Sequence, residues 1–152
     1  EPLVAIGAFT LMPNHFHLLL RPREAGSIPL FMKQLANAYT QYFNHKYKRS
    51  GALFQGRYKS VKIDTDNQLI HISRYIHLNP YHARLAAAPQ DYPYSSLSDY
   101  LDPEKESICS RRLIQSFFSS PNKYLEFVKD ITDYNKNLTD IAQESIDFEP
   151  KG

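Results

Sequence analysis

The chain has no tryptophan, one cysteine, two methionines and five glycines among its 152 residues. A single cysteine, Cys109, excludes an internal disulfide framework and any zinc or iron–sulfur site built from several thiolates. No apolar run approaches the roughly 20 residues that span a bilayer, and no basic-then-apolar leader is recognisable. A cytoplasmic protein without a membrane segment is the expectation. Disorder is excluded by composition: 42% hydrophobic and 22% charged residues lie close to globular averages. The length suits one domain with a core of its own. There is no initial methionine, and EPLVAIGAFTLM reads at once as a core strand, so residues upstream are expected to be missing.

Tyrosine and proline are abundant, at 11 and 10 copies. The net charge of +2 hides an asymmetry: residues 1–98 hold 11 Lys+Arg against 5 Asp+Glu, residues 99–152 hold 7 against 11. The positive charge is densest in residues 43–62, FNHKYKRSGALFQGRYKSVK, which contain Lys46, Lys48, Arg49, Arg57, Lys59 and Lys62 and no acid. Phe43, Tyr47, Phe54 and Tyr58 are interleaved with them. Cations that neutralise phosphates, mixed with rings that stack on bases, form the surface that single-stranded nucleic acid requires. A solvated basic loop is the plainer alternative.

Residues 3–11 read as a buried strand and 15–21 as a second, joined through Met12-Pro13-Asn14 in a β-hairpin. Ser27 is placed to cap a helix over 28–46, with Pro29 in its first turn. Residues 58–64 alternate as a third strand would. Asp64 or Asp66 is expected to cap a helix over 67–79, ended by Pro80. Residues 81–105 read as Pro- and Tyr-rich loop, 110–118 and 121–134 as short helices, and the last dozen residues as a polar tail.

His15 and His17 are two apart on a predicted strand, so both imidazoles point the same way, with Phe16, Leu18 and Leu20 opposite, toward a core. Two such imidazoles can hold a metal, or simply hydrogen-bond at a sheet surface. Tyr75 and Asn79 share a helical face. Asn79 Oδ1 could complete a three-ligand site, and nitrogen plus oxygen donors suit Mn²⁺ or Mg²⁺. A metal there would polarise a phosphate for attack by the Tyr75 phenolate. Spacing alone does not single out Tyr75 among the 11 tyrosines, and a ring in the core with its hydroxyl at the surface is the alternative.

LMPNHFHLLLRP, GALFQGRYKS and RYIHLNP, in this order, resemble the REP-associated tyrosine transposases, which belong to the single-tyrosine group of HUH nucleases. The resemblance covers about residues 1–100. It implies an α+β fold, a central antiparallel sheet with helices packed on it in a ferredoxin- or RRM-like HUH core, with residues 101–152 as a helical C-terminal extension. The family carries a further strand and helix ahead of the region where this chain opens, and the loss of that strand is expected to expose a sheet edge. The implied activity is metal-dependent cleavage of single-stranded DNA near a hairpin. Carried over, Tyr75 is the nucleophile that forms a 5′-phosphotyrosine. His15, His17 and Asn79 are the ligands of Mg²⁺ or Mn²⁺, and Arg57, Tyr58 and Lys59 face DNA together with Lys46, Lys48, Arg49 and Lys62.

The sequence departs from the family at NPYHARLA after the tyrosine helix. His71 and His82 could compete as ligand or base, whereas His77 should face away from Tyr75. Residues 110–134 allow a helix-turn-helix, but their acidic surroundings favour packing. A homodimer is compatible with the family, though no dimer stripe is visible. Two rival functions keep the same residues: a domesticated binder of hairpin DNA that cuts nothing, and a phosphodiesterase in which water attacks.

Overall fold

The structure, a computed structural model, describes residues 1–131. The predicted polar tail, and the end of the predicted 121–134 helix, lie outside the described residues. The order of elements is β1 (Val4–Leu11), β2 (Phe16–Pro22), α1 (Ser27–Tyr47), α2 (Asp66–His82), a 3-10 turn at Pro89–Asp91, α3 (Leu97–Leu101), α4 (Arg112–Gln115) and α5 (Pro121–Lys129). The fold is α+β around a two-stranded antiparallel sheet of β1 and β2. The chain forms two compact units, Glu1–Ala5 with Arg21–Ser60, and Ile6–Leu20 with the chain from Val61 onward.

In the first unit, α1 begins after Gly26, which takes a left-handed conformation at φ 85°. Ser27 is not the cap: it is the first helical residue, and its Oγ accepts the Glu24 N–H at 3.3 Å. The helix ends at Lys48, again left-handed, whose N–H reaches the carbonyl of His45. Arg49 then clamps the following loop, donating to Asn44 Oδ1 at 2.7 Å and to the Ala52 carbonyl at 3.1 Å. His45 and Lys46 in the last turn complement the negative end of the helix dipole.

The second unit is built on α2. A capping box starts this helix: Thr65 accepts from the Gln68 N–H while the Gln68 side chain accepts from the Thr65 N–H. Neither Asp64 nor Asp66 is the cap. The expected stop at Pro80 is also overturned, because the helix continues to His82 with Pro80 inside it. Proline has no N–H to give to the carbonyl four residues back, here that of Ile76. Thr10 of β1 supplies the missing donor, its hydroxyl bonding the Ile76 carbonyl at 2.8 Å. The side chain that replaces the lost helix bond therefore also docks α2 on the sheet.

The expected strand over 58–64 does not form; those residues carry no regular structure. A strand needs a partner to take its backbone groups, and among the described residues the sheet is β1 and β2 alone. Nor is the second edge of β1 bare. Leu11 N–H bonds the Tyr94 carbonyl at 2.9 Å, Ser96 N–H the Phe9 carbonyl at 3.0 Å, and Ser110 N–H the Ile6 carbonyl at 2.7 Å. The stretch read as loop thus seals an edge and contributes α3. Its Leu97 and Tyr100, with Ile114, Tyr124 and Val128, close the core over Ala8, Leu19 and Ile76.

Candidate active site

The four residues singled out for chemistry all lie in the second unit. His15 ends the turn after β1, one residue before β2 begins, and His17 is in β2. The core side of β2 is the reverse of the expectation. Leu19 is buried, while Phe16, Leu18 and Leu20 are only half-buried, so the histidines share the face that packs on α2. Apolar residues occur on both faces of FHLLL, so alternation could not choose between them. The site therefore sits at the open end of a core face rather than on its back.

The rings of His15 and His17 lie 5.0 Å apart, centroid to centroid. The Tyr75 ring lies 5.5 Å from that of His17, and Asn79 Nδ2 is 3.2 Å from His17 Nε2. The helix delivers Tyr75 and Asn79 together because four residues make about one turn. Neighbours fix the imidazole lone pairs. An amide nitrogen can only donate, so His17 Nε2 accepts. Asn14 Oδ1, at 2.7 Å, can only accept from His15 Nδ1, which leaves the lone pair of His15 on Nε2. Desolvation lowers the pKa of His15, which favours its neutral form.

Two imidazole nitrogens and a carboxamide, whose turn about its last bond presents Oδ1, form a donor set that fits a divalent cation with positions left open. Asn14 is the outer partner that orients His15; its signal in the sequence was adjacency alone. Among the described residues no cluster of three His, Cys, Asp or Glu forms. The donor set thus brings no negative charge of its own.

Two of the three other histidines near Tyr75 in sequence, His71 and His77, are engaged elsewhere. His71 Nδ1 is 2.9 Å from an Arg74 guanidinium nitrogen and its ring packs on Phe127. His77 faces away from Tyr75, fully buried. Its Nδ1 is 2.7 Å from the Tyr124 hydroxyl and its Nε2 2.8 Å from Ser96 Oγ. Burial, only partly offset by Asp99, pushes its pKa down to about 3. Exposed His82 is one turn beyond Asn79, with its ring against Tyr81.

The basic candidates are all exposed. Lys46, Lys48, Arg49, Arg57, Tyr58 and Lys59 belong to the first unit, Lys62 to the second. Lys62 pairs with Asp64 at 2.5 Å, and Arg49 spends donors on its loop clamp. Residues 110–131 do not form a helix-turn-helix: α4 has four residues and packs through Ile114, and α5 buries Tyr124 and Val128. Among the described residues no helix is long and apolar enough to cross a membrane.

Comparison with curated proteins and with solved structures gives no match. A family model described as "Transposase IS200 like" matches residues 3–79.

Proposed function

The chain belongs to the IS200-like transposase family, and from that premise we propose that it cuts and rejoins single-stranded DNA beside a hairpin through Tyr75. Membership makes it a transposase-type protein that acts on DNA. The observation that supports the finer reading is the convergence of four side chains: His15, His17, Tyr75 and Asn79 meet within one unit, with the Tyr75 and His17 rings 5.5 Å apart.

His15 Nε2, His17 Nε2 and Asn79 Oδ1 would hold Mg²⁺ or Mn²⁺. When bound, that cation supplies charge that polarises the scissile phosphate and favours the phenolate, whose free pKa is about 10. Tyr75 Oη loses its proton and attacks phosphorus. The bond from phosphorus to the 3′ oxygen breaks, and that oxygen takes up a proton as a 3′-OH. The 5′ phosphate stays on Tyr75 as a diester, so a 3′-OH can attack it in turn and rejoin strands without ATP. Lys46, Lys48, Arg49, Arg57, Tyr58, Lys59 and Lys62 would draw in and hold the DNA backbone, Arg49 also fixing the loop after α1.

The test is incubation of the protein with labelled hairpin oligonucleotides bearing single-stranded flanks, with Mn²⁺ or Mg²⁺, followed by denaturing electrophoresis. Label shifted to protein size, and lost in Tyr75→Phe and with EDTA, is the expected result. Cutting without an adduct, unchanged in Tyr75→Phe, would assign attack to water. Binding with no cutting under either metal would mark a non-catalytic hairpin binder.

A further inference from the structure

The C-terminal half of α1 carries a group of rings that the proposed chemistry does not use. Tyr39, Tyr42 and Tyr47 are 47%, 57% and 57% exposed. They form one cluster with Phe43 and Phe54. Tyr39 lies 6.4 Å from Tyr42 in a stacked arrangement and 6.2 Å from Phe54, and Phe43 lies 4.5 Å from Tyr47. Cations sit at the rings: Lys46 Nζ is 5.6 Å from the Tyr42 centroid and 5.5 Å from that of Tyr47, and the Arg49 guanidinium is 5.7 Å from Phe43. All belong to one unit. Helical spacing builds the cluster, since Tyr39, Tyr42, Phe43 and Lys46 recur at three and four residues. The Arg49 clamp on Asn44 and Ala52 turns the chain back, and Phe54 meets Tyr39.

Five rings and several cations, with no acid between Ala25 and Ile63, suit a polyanion with unpaired aromatic faces. The unit as a whole holds eight Lys+Arg against two Asp+Glu, so two copies meeting here would repel. We infer that Tyr39 and Tyr42, flanked by Lys46, form a stacking platform for unpaired bases of a single-stranded DNA segment. This is a binding site separate from the Tyr75 centre in sequence and in unit, and it rests on the reading that the protein takes single-stranded DNA. Duplex bases already stack on each other; exposed tyrosine faces accept splayed ones, with a lysine for the adjoining phosphate.

The test is fluorescence anisotropy with a fluorescein-labelled homothymidine oligonucleotide across a salt series. Tyr39→Ala and Tyr42→Ala should each weaken binding by about fivefold or more, leaving the slope of log affinity against log salt unchanged. Tyr42→Phe should bind as the parent does. Lys46→Gln should make the slope shallower by about 0.7. Because the chain has no tryptophan, Tyr42→Trp introduces a single indole, whose emission the oligonucleotide should quench. Failure of the parent protein to bind, unchanged affinity in both alanine variants, or an unquenched indole would overturn the platform. So would self-association of the parent that both alanine variants abolish, which would make this face a contact between copies. Adduct formation is scored separately on hairpin DNA. Ring variants that lose binding while the parent forms no adduct refute the Tyr75 chemistry alone. An adduct with unaffected ring variants refutes the platform alone.

Discussion

Thr10→Val isolates the joint between the sheet and the helix that carries Tyr75. Thr10 is fully buried; its hydroxyl donates to the Ile76 carbonyl at 2.8 Å and lies 3.3 Å from Ser95 Oγ, which can donate to it. Valine keeps the shape and removes the donor. The carbonyl cannot fall back on the helix, because the residue four positions on is Pro80, which has no N–H. A buried acceptor left without its partner costs about 1–3 kcal/mol. The thermal midpoint should fall by about 2–4 °C for each kcal/mol in a chain of this size. Urea unfolding followed by circular dichroism reads the cost directly, with the m-value unchanged. The decisive arm is the double-mutant cycle with Pro80→Ala. Alanine restores an N–H for Ile76, so Thr10→Val should cost about 1 kcal/mol less in that background than in the parent. Strict additivity, or no loss in Thr10→Val, would refute the claim that Thr10 replaces the helix bond.

Three further outcomes follow from the site and its support. His77 is buried with its pKa pushed down to about 3, while the unfolded chain takes up that proton near 6.5. Its contribution is complete above about pH 6.5 and is lost as pH falls toward 3, at about 1.4 kcal/mol per pH unit. Denaturation midpoints between pH 6 and 4 should show this slope, and His77→Gln should flatten it; an equal slope in the variant would contradict the buried neutral imidazole. The donor set lacks negative charge, so Mn²⁺ should bind weakly alone and much more tightly when a DNA phosphate is present, as read by Mn²⁺ paramagnetic resonance. Asn79→Asp should raise Mn²⁺ affinity without DNA by about tenfold or more; an unchanged affinity would remove Asn79 from the ligand set.

What could be read in the sequence depended on how local its cause is. The β1–β2 hairpin, the span of α1, the shared face of Tyr75 and Asn79, and the outward turn of His77 from Tyr75 all follow from short-range periodicity. The strand over 58–64 had the right alternation but no neighbouring strand, which alternation cannot report. Pro80 read as a helix end because the bond it cannot give to Ile76 is replaced from Thr10, 66 residues before Ile76 in sequence. The start of α2 was legible in principle, since Thr65 and Gln68 have capping-box spacing, but two nearby aspartates competed for the assignment. The core side of β2 was hidden by leucines on both faces. The seal along β1 by residues 94–96 and 109–110 is tertiary, with no local signature either in the Pro- and Tyr-rich stretch or just beyond it. Tyr39 and Tyr42 fall within the helix expected over 28–46, where spacing does not set them apart; their exposure does.

The most direct measurement is peptide mapping of the covalent product. The adduct from a hairpin oligonucleotide is trimmed with nuclease and protease, and the nucleotide-bearing peptide is sequenced by tandem mass spectrometry. A phosphonucleotide on Tyr75, absent when Tyr75→Phe is used, is the predicted result. A nucleotide on any of the other tyrosines, or cleaved DNA with no modified peptide at all, would contradict the assignment of Tyr75 as the nucleophile.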